Sequence, residues 1–146
     1  MTARLFETEA DTLPERLPSW PVLLHYAIER AREIPFDWQA HNCYTFAAAC
    51  ARAMTGADLV APVADHLATP TAAVRACTRL QDIVDAVLPG RRIEVLQARR
   101  GDWLLFRGPR ASLFAVAVCL GKRAACVGAE GMVLVETREA LCAWRI

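Results

Sequence analysis

Asn42-Cys43-Tyr44-Thr45-Phe46-Ala47-Ala48-Ala49-Cys50-Ala51-Arg52-Ala53-Met54-Thr55-Gly56 reads as one helix with its punctuation. Asn42 is a good N-cap, and Gly56 stands where a helix ends on a left-handed residue. Cys43, Phe46, Ala47, Cys50 and Met54 form one apolar stripe at helical spacing, and the alanines between them allow a close neighbour. The spacing predicts a helix over 43–54. Upstream, Ser19 offers a cap and Pro21 is tolerated in a first turn. Trp20, Leu23, Leu24, Ala27, Ile28 and Ala31 then predict a helix to about Arg32, ended by Pro35. Downstream, Thr69 with Pro70 opens a third helix to about Cys77. A fourth spans 82–88 before Pro89-Gly90, and 61–68 reads as a loop.

After Gly90 the texture changes. Residues 103–106, 114–120, 124–127 and 132–135 are short apolar or β-branched runs separated by turns at Gly108-Pro109, Gly121-Lys122 and 128–131. A short helix over 137–142 and a last strand over 144–146 complete the expectation. Helices first and strands afterwards predict an α+β fold, N-terminal helices packed on a C-terminal antiparallel sheet.

Composition bounds the rest. The 146 residues suit one domain, and an apolar share of 55% excludes a disordered chain. The longest apolar run, 113–120, falls short of the ~20 residues a membrane span needs, so no membrane insertion is expected. Residues 1–7 carry no continuous apolar stretch, and no secretory signal is expected. Seventeen basic against sixteen acidic residues argue against a nucleic-acid partner. Between Arg91 and Arg110 six arginines face only Glu94 and Asp102, which reads as a solvated or protein-facing surface. Residues 1–17, mixed in charge and lacking periodicity, read as an arm over the domain or over a partner, with a single domain over 18–146. The six cysteines include no C-x-x-C pair. They are expected to be buried free thiols, with neither a disulfide frame nor a metal site, and no cofactor is implied.

Cys43 at a helix start faces free backbone N–H groups and the positive end of the helix dipole, the usual setting of a nucleophilic thiol. The same residue also begins the apolar stripe, so a plain core role is open. Arg100-Gly101-Asp102-Trp103-Leu104-Leu105-Phe106 is a turn feeding a buried strand, and Ala115-Val116-Ala117-Val118-Cys119-Leu120-Gly121 follows it. With these segments the chain resembles the NlpC-type cysteine peptidases, papain relatives that cut peptidoglycan stem peptides. Cys43 and Phe46 match that family's first motif, Gly101, Asp102 and Phe106 its second, and Leu120-Gly121 the close of its third. More closely, the chain resembles a family of small phage and prophage proteins with a degenerate form of this pattern. Their ends resemble Cys142-Ala143-Trp144-Arg145.

The resemblance implies a papain-like fold and a Cys43 nucleophile, and the departures bear on activity. Ala115 stands where the family histidine should open a strand, and the third polar position falls near Cys126 or Val127. No histidine follows His66. Without a base the Cys43 thiol is expected to stay mostly protonated and to lack a proton donor for a leaving amine. His41, two residues before Cys43, is a candidate recruited base. His25, expected at the core edge, is another, and His66 has no evident partner. Asp37, Asp58, Asp65 and Asp102 form no recognisable pair, and Asp102 is expected to cap backbone N–H groups in its turn.

The resemblance implies a structural or assembly component of a phage-derived tail, at the tip or baseplate, made in the bacterial host cytoplasm and carried in the virion. Its partners would be other tail-tip or baseplate proteins, met by the arm, exposed arginines and the Trp144-Arg145-Ile146 end. The alternatives are a cysteine hydrolase of the peptidoglycan or amide class built on Cys43, and a thiol-based redox or metal module.

Overall fold

The structure, a computed structural model, describes residues 13–108, 110 and 112–146. Most of the expected arm, residues 1–12, and Pro109 of the expected turn lie outside them. Among the described residues four α-helices come first: α1 (Trp20–Arg32), α2 (Cys43–Thr55), α3 (Pro70–Cys77) and α4 (Leu80–Val87). Six strands follow: β1 (Arg92–Ile93), β2 (Trp103–Arg107), β3 (Phe114–Cys119), β4 (Arg123–Gly128), β5 (Gly131–Glu136) and β6 (Cys142–Trp144). They form one antiparallel sheet in the order β1-β6-β2-β3-β4-β5. The architecture is α+β, helices on an antiparallel sheet, as the pattern predicts.

Local chemistry accounts for the helix ends. In α2 the Asn42 side chain accepts from the Thr45 N–H at 2.9 Å, and Thr45 Oγ1 accepts from the Asn42 N–H at 2.8 Å. This reciprocal box satisfies donors that a helix start otherwise leaves free. Gly56 ends the helix at φ +82°, where a side chain would be strained. Thr69 caps α3 through the Ala72 N–H at 3.0 Å. The helix α2 is the central element: it packs on α1, β3 and β4, while α1 reaches β5 and α4 reaches β3. Trp103, Trp144, Phe46, Leu24 and Met54 are fully buried.

Several expectations need correction. Residues 61–67 form a 3-10 helix where a loop was expected, with Asp58 Oδ1 accepting from the Val60 and Ala61 N–H groups at its entrance. The fourth helix begins at Leu80. The helix expected over 137–142 is one 3-10 turn, Thr137–Glu139. Sheet pairing wins there: Leu141 donates to the Leu105 carbonyl at 2.7 Å, and Cys142 lies opposite Leu105. The last strand is therefore 142–144 and not 144–146. The two-residue strand β1, opposite Ala143 and Trp144, is too short to carry a sequence signal.

Candidate functional site around Cys43

The cap fixes Cys43 as the first residue of α2, and packing of α2 on β3 carries its sulfur to the Val116 backbone. Cys77, the last residue of α3, presents its thiol to the same sulfur. Hydrogen bonding from Cys77 holds the Cys43 thiol below the usual thiol range, aided by the Val116, Tyr44 and Cys43 amides and opposed by burial. The same contact, with burial, pushes Cys77 up. Cys126 on β4 is pushed up by burial and by Cys43, and its thiol donates to the Val116 carbonyl at 3.5 Å. Burial pushes the Cys50 thiol up to about 12. The Cys43 thiol is thus more acidic than an ordinary one, and the shift comes first from a second thiol and then from backbone amides.

Only 8% of Cys43 is exposed. It lines a small apolar cavity of about 20 Å³ with Trp38, Tyr44, Val63, His66 and Cys77, under the 3-10 helix and α3. Tyr44 hydroxyl donates to the Leu59 carbonyl at 2.7 Å, and its ring meets Trp103 edge-on at 5.4 Å. The hydroxyl is therefore tied away from the sulfur.

The histidines distribute differently from expectation. His41 exchanges two backbone hydrogen bonds of 2.9 Å with Asp37. Its buried ring bonds to the Ala31 carbonyl at the end of α1, and burial holds its pKa down. His41 is not among the groups acting on the Cys43 sulfur. His25 is exposed against Tyr26 and lines a separate groove with Ile28 and Leu134, not the core edge. The histidine in the Cys43 cavity is His66. Nothing in its local sequence signals this, because the 3-10 helix that carries it has no periodic pattern. Cys77, too, reads from sequence only as a residue at a helix end.

Asp102 does far more than cap its turn. The Arg99 N–H donates to it locally at 3.0 Å, as expected. It is also fully buried, accepting from Arg16 Nη2 at 2.9 Å and the Ile146 N–H at 3.0 Å, with Arg145 Nε 3.2 Å away. The preceding Gly101 has φ +96°, and a Cβ there would fall 2.7 Å from Met54 Sδ. Both members of the Gly-Asp pair are thus demanded by packing. The expected contact surface at 144–146 is corrected by the same geometry. Trp144 is fully buried with Nε1 donating to Asp85 at 2.9 Å, Ile146 is buried, and Arg145 turns back to Asp102 and the Gln97 carbonyl.

A family model described as "Domain of unknown function (DUF6950)" matches residues 15–146. The chain belongs to this family. No curated protein matches this DUF6950 chain in sequence. Among solved structures it is similar to the crystal structure of the NlpC/p60 domain of the peptidoglycan hydrolase SagA, with a TM-score of 0.56 and 16% identity over 86% of this chain and 97% of that one. The fold is NlpC/p60-like. At that identity the likeness speaks for the fold alone. Among the described residues no helix is long and apolar enough to cross a membrane, and no group of three or more His, Cys, Asp or Glu side chains is arranged to hold a metal ion.

Proposed function

We propose that this DUF6950 chain is a non-hydrolytic structural or assembly component of a phage or prophage-derived tail, at the tip or baseplate, built on an NlpC/p60-like scaffold. The observation that carries the non-hydrolytic part is the wall of the Cys43 cavity. The groups acting on the sulfur, where a cysteine peptidase needs an imidazole, are the Cys77 thiol and the Val116, Tyr44 and Cys43 backbone. The cavity is apolar and too small for a peptide, so a scissile carbonyl has no approach to the sulfur. The tail assignment is supported by the sequence resemblance to small phage and prophage proteins, with Cys142-Ala143-Trp144-Arg145 at its end. Its contact surfaces would be the N-terminal segment and exposed arginines such as Arg99 and Arg100. Co-expression with neighbouring tail-tip proteins is expected to yield a complex, and mass spectrometry of virions to find the chain. A failure of both would reject the assignment.

A second reading, a Cys43 hydrolase of the peptidoglycan or amide class, is favoured by one observation: His66 lines the cavity with Cys43. It requires the 3-10 helix and α3 to move aside. It predicts muralytic activity lost in both Cys43→Ala and His66→Ala, and wild-type protein without such activity would reject it.

A further inference from the structure

The sequence and the fold leave Cys77 without a role. It is the half-buried one of six cysteines, at the last turn of α3, and it lines one cavity with Cys43 at the first turn of α2. Ordinary core cysteines are isolated small hydrophobes. These two instead share one cavity, and Cys43 stands at the capped start of α2, where free backbone N–H groups favour a thiolate. The cavity of about 20 Å³ has room for a molecule little larger than water and none for a glutathione-sized reagent. The partial exposure of Cys77 marks its open side.

We propose that Cys43 and Cys77 form a peroxide-reactive dithiol site, in which a small hydroperoxide oxidises the pair to a disulfide that ties α2 to α3. In the first step the Cys43 thiolate attacks one oxygen of hydrogen peroxide. The S–O bond forms, the O–O bond breaks, and hydroxide leaves and takes a proton to become water. The sulfur of Cys77 then attacks the sulfenic sulfur of Cys43. The S–S bond forms, the S–O bond breaks, and the departing hydroxide takes the Cys77 proton as a second water. Two electrons pass from the two thiols to the peroxide, so no other oxidant is required. Roles follow from position: Cys43, at the capped start of α2, is the peroxidatic sulfur, and Cys77, at the partly exposed end of α3, is the resolving one. Cys50, Cys119, Cys126 and Cys142 are buried and lack this convergence of a facing thiol and a helix start. The inference does not rest on the tail reading, and its failure would leave that reading untouched.

The test treats the full purified chain with hydrogen peroxide, quenches, alkylates under denaturing conditions and maps peptides by mass spectrometry. Expected is a Cys43–Cys77 linked peptide reversed by dithiothreitol, with Cys43 consumed about tenfold faster than Cys50. In Cys77→Ser, Cys43 should stop at the sulfenic acid and be captured by dimedone. In Cys43→Ser, Cys77 should remain alkylatable. Two results would each overturn the proposal: Cys43 and Cys50 oxidised at the same rate, or Cys43 carried to sulfinic acid in the wild type with no linked peptide. Circular dichroism of both variants separates a chemical effect from a folding defect.

Discussion

Asp102 and Cys43 occupy matching motif positions of the NlpC resemblance, yet their surroundings differ in how polar atoms are paired. Asp102 is fully buried and receives two guanidinium groups and two backbone N–H groups, joining the N-terminal segment, the turn before β2 and the chain's last residues. Cys43 is almost as buried, but its cavity is apolar and its acidity comes from a neighbouring thiol and amides. Buried His41 Nε2 and Trp103 Nε1, and Arg145 Nε within the Asp102 cluster, have no hydrogen-bond partner among the described residues. The comparison teaches that close polar pairing in this chain serves to clamp the fold, while the pocket at the helix start is packed like a core.

The largest effect should therefore come from the clamp. Asp102→Ala leaves buried Arg16 without its anion and is expected to cost about 3–5 kcal/mol in urea unfolding. A loss below about 1 kcal/mol would remove the contrast. Next, Gly101→Ala drives a Cβ into Met54 at a left-handed position and should cost about 2 kcal/mol by the same measurement. The pocket side should respond more weakly. Asn42→Ala breaks the cap of α2 and should cost about 1 kcal/mol, while Cys43→Ala, removing one sulfur beside an existing cavity, should cost about as much. A Cys43→Ala loss equal to that of Asp102→Ala would show that the two regions are equally braced.

The smallest effect is a pH slope. Burial holds His41 below its ordinary value in the fold, so the unfolded chain binds its proton more readily. Its contribution is complete above the unfolded value of ~6.5 and is lost as pH falls through the lower folded value. Stability should decline as pH drops below ~6.5, and His41→Gln should flatten that part of the profile. An unchanged slope would place the titration elsewhere.

How much was legible follows the range of each interaction. Helices α2 and α3 and strands β2 to β5 lie where apolar period and punctuation put them, because Asn42, Thr69 and Gly56 act on backbone groups three or four residues away, whereas α1 follows its apolar period alone, its expected cap Ser19 making no side-chain cap bond. The 3-10 helix 61–67 and the turn 137–139 lack such a period, and β6 exists because Leu105 offers it a ladder. At the site, Cys43 was visible from its helix start. His66 and Cys77 were not, since 23 and 34 residues of chain separate them from it. Trp144 and Arg145 read as surface residues for the same reason: Asp85 and Asp102, which hold them, are distant in sequence.

The amino-acid sequence by itself determined that this is an α+β fold with a cysteine at a capped helix start. Those are properties of residue identity and local spacing. Only the tertiary structure decided that Cys43 shares a small apolar cavity with a second thiol, that His41 is turned toward α1, and that Asp102 binds both ends of the described chain. Each of these depends on groups brought together by packing across 30 or more residues, or on where a buried ring finds its acceptor. No local pattern encodes such pairings, because burial selects the partner only after the core has formed.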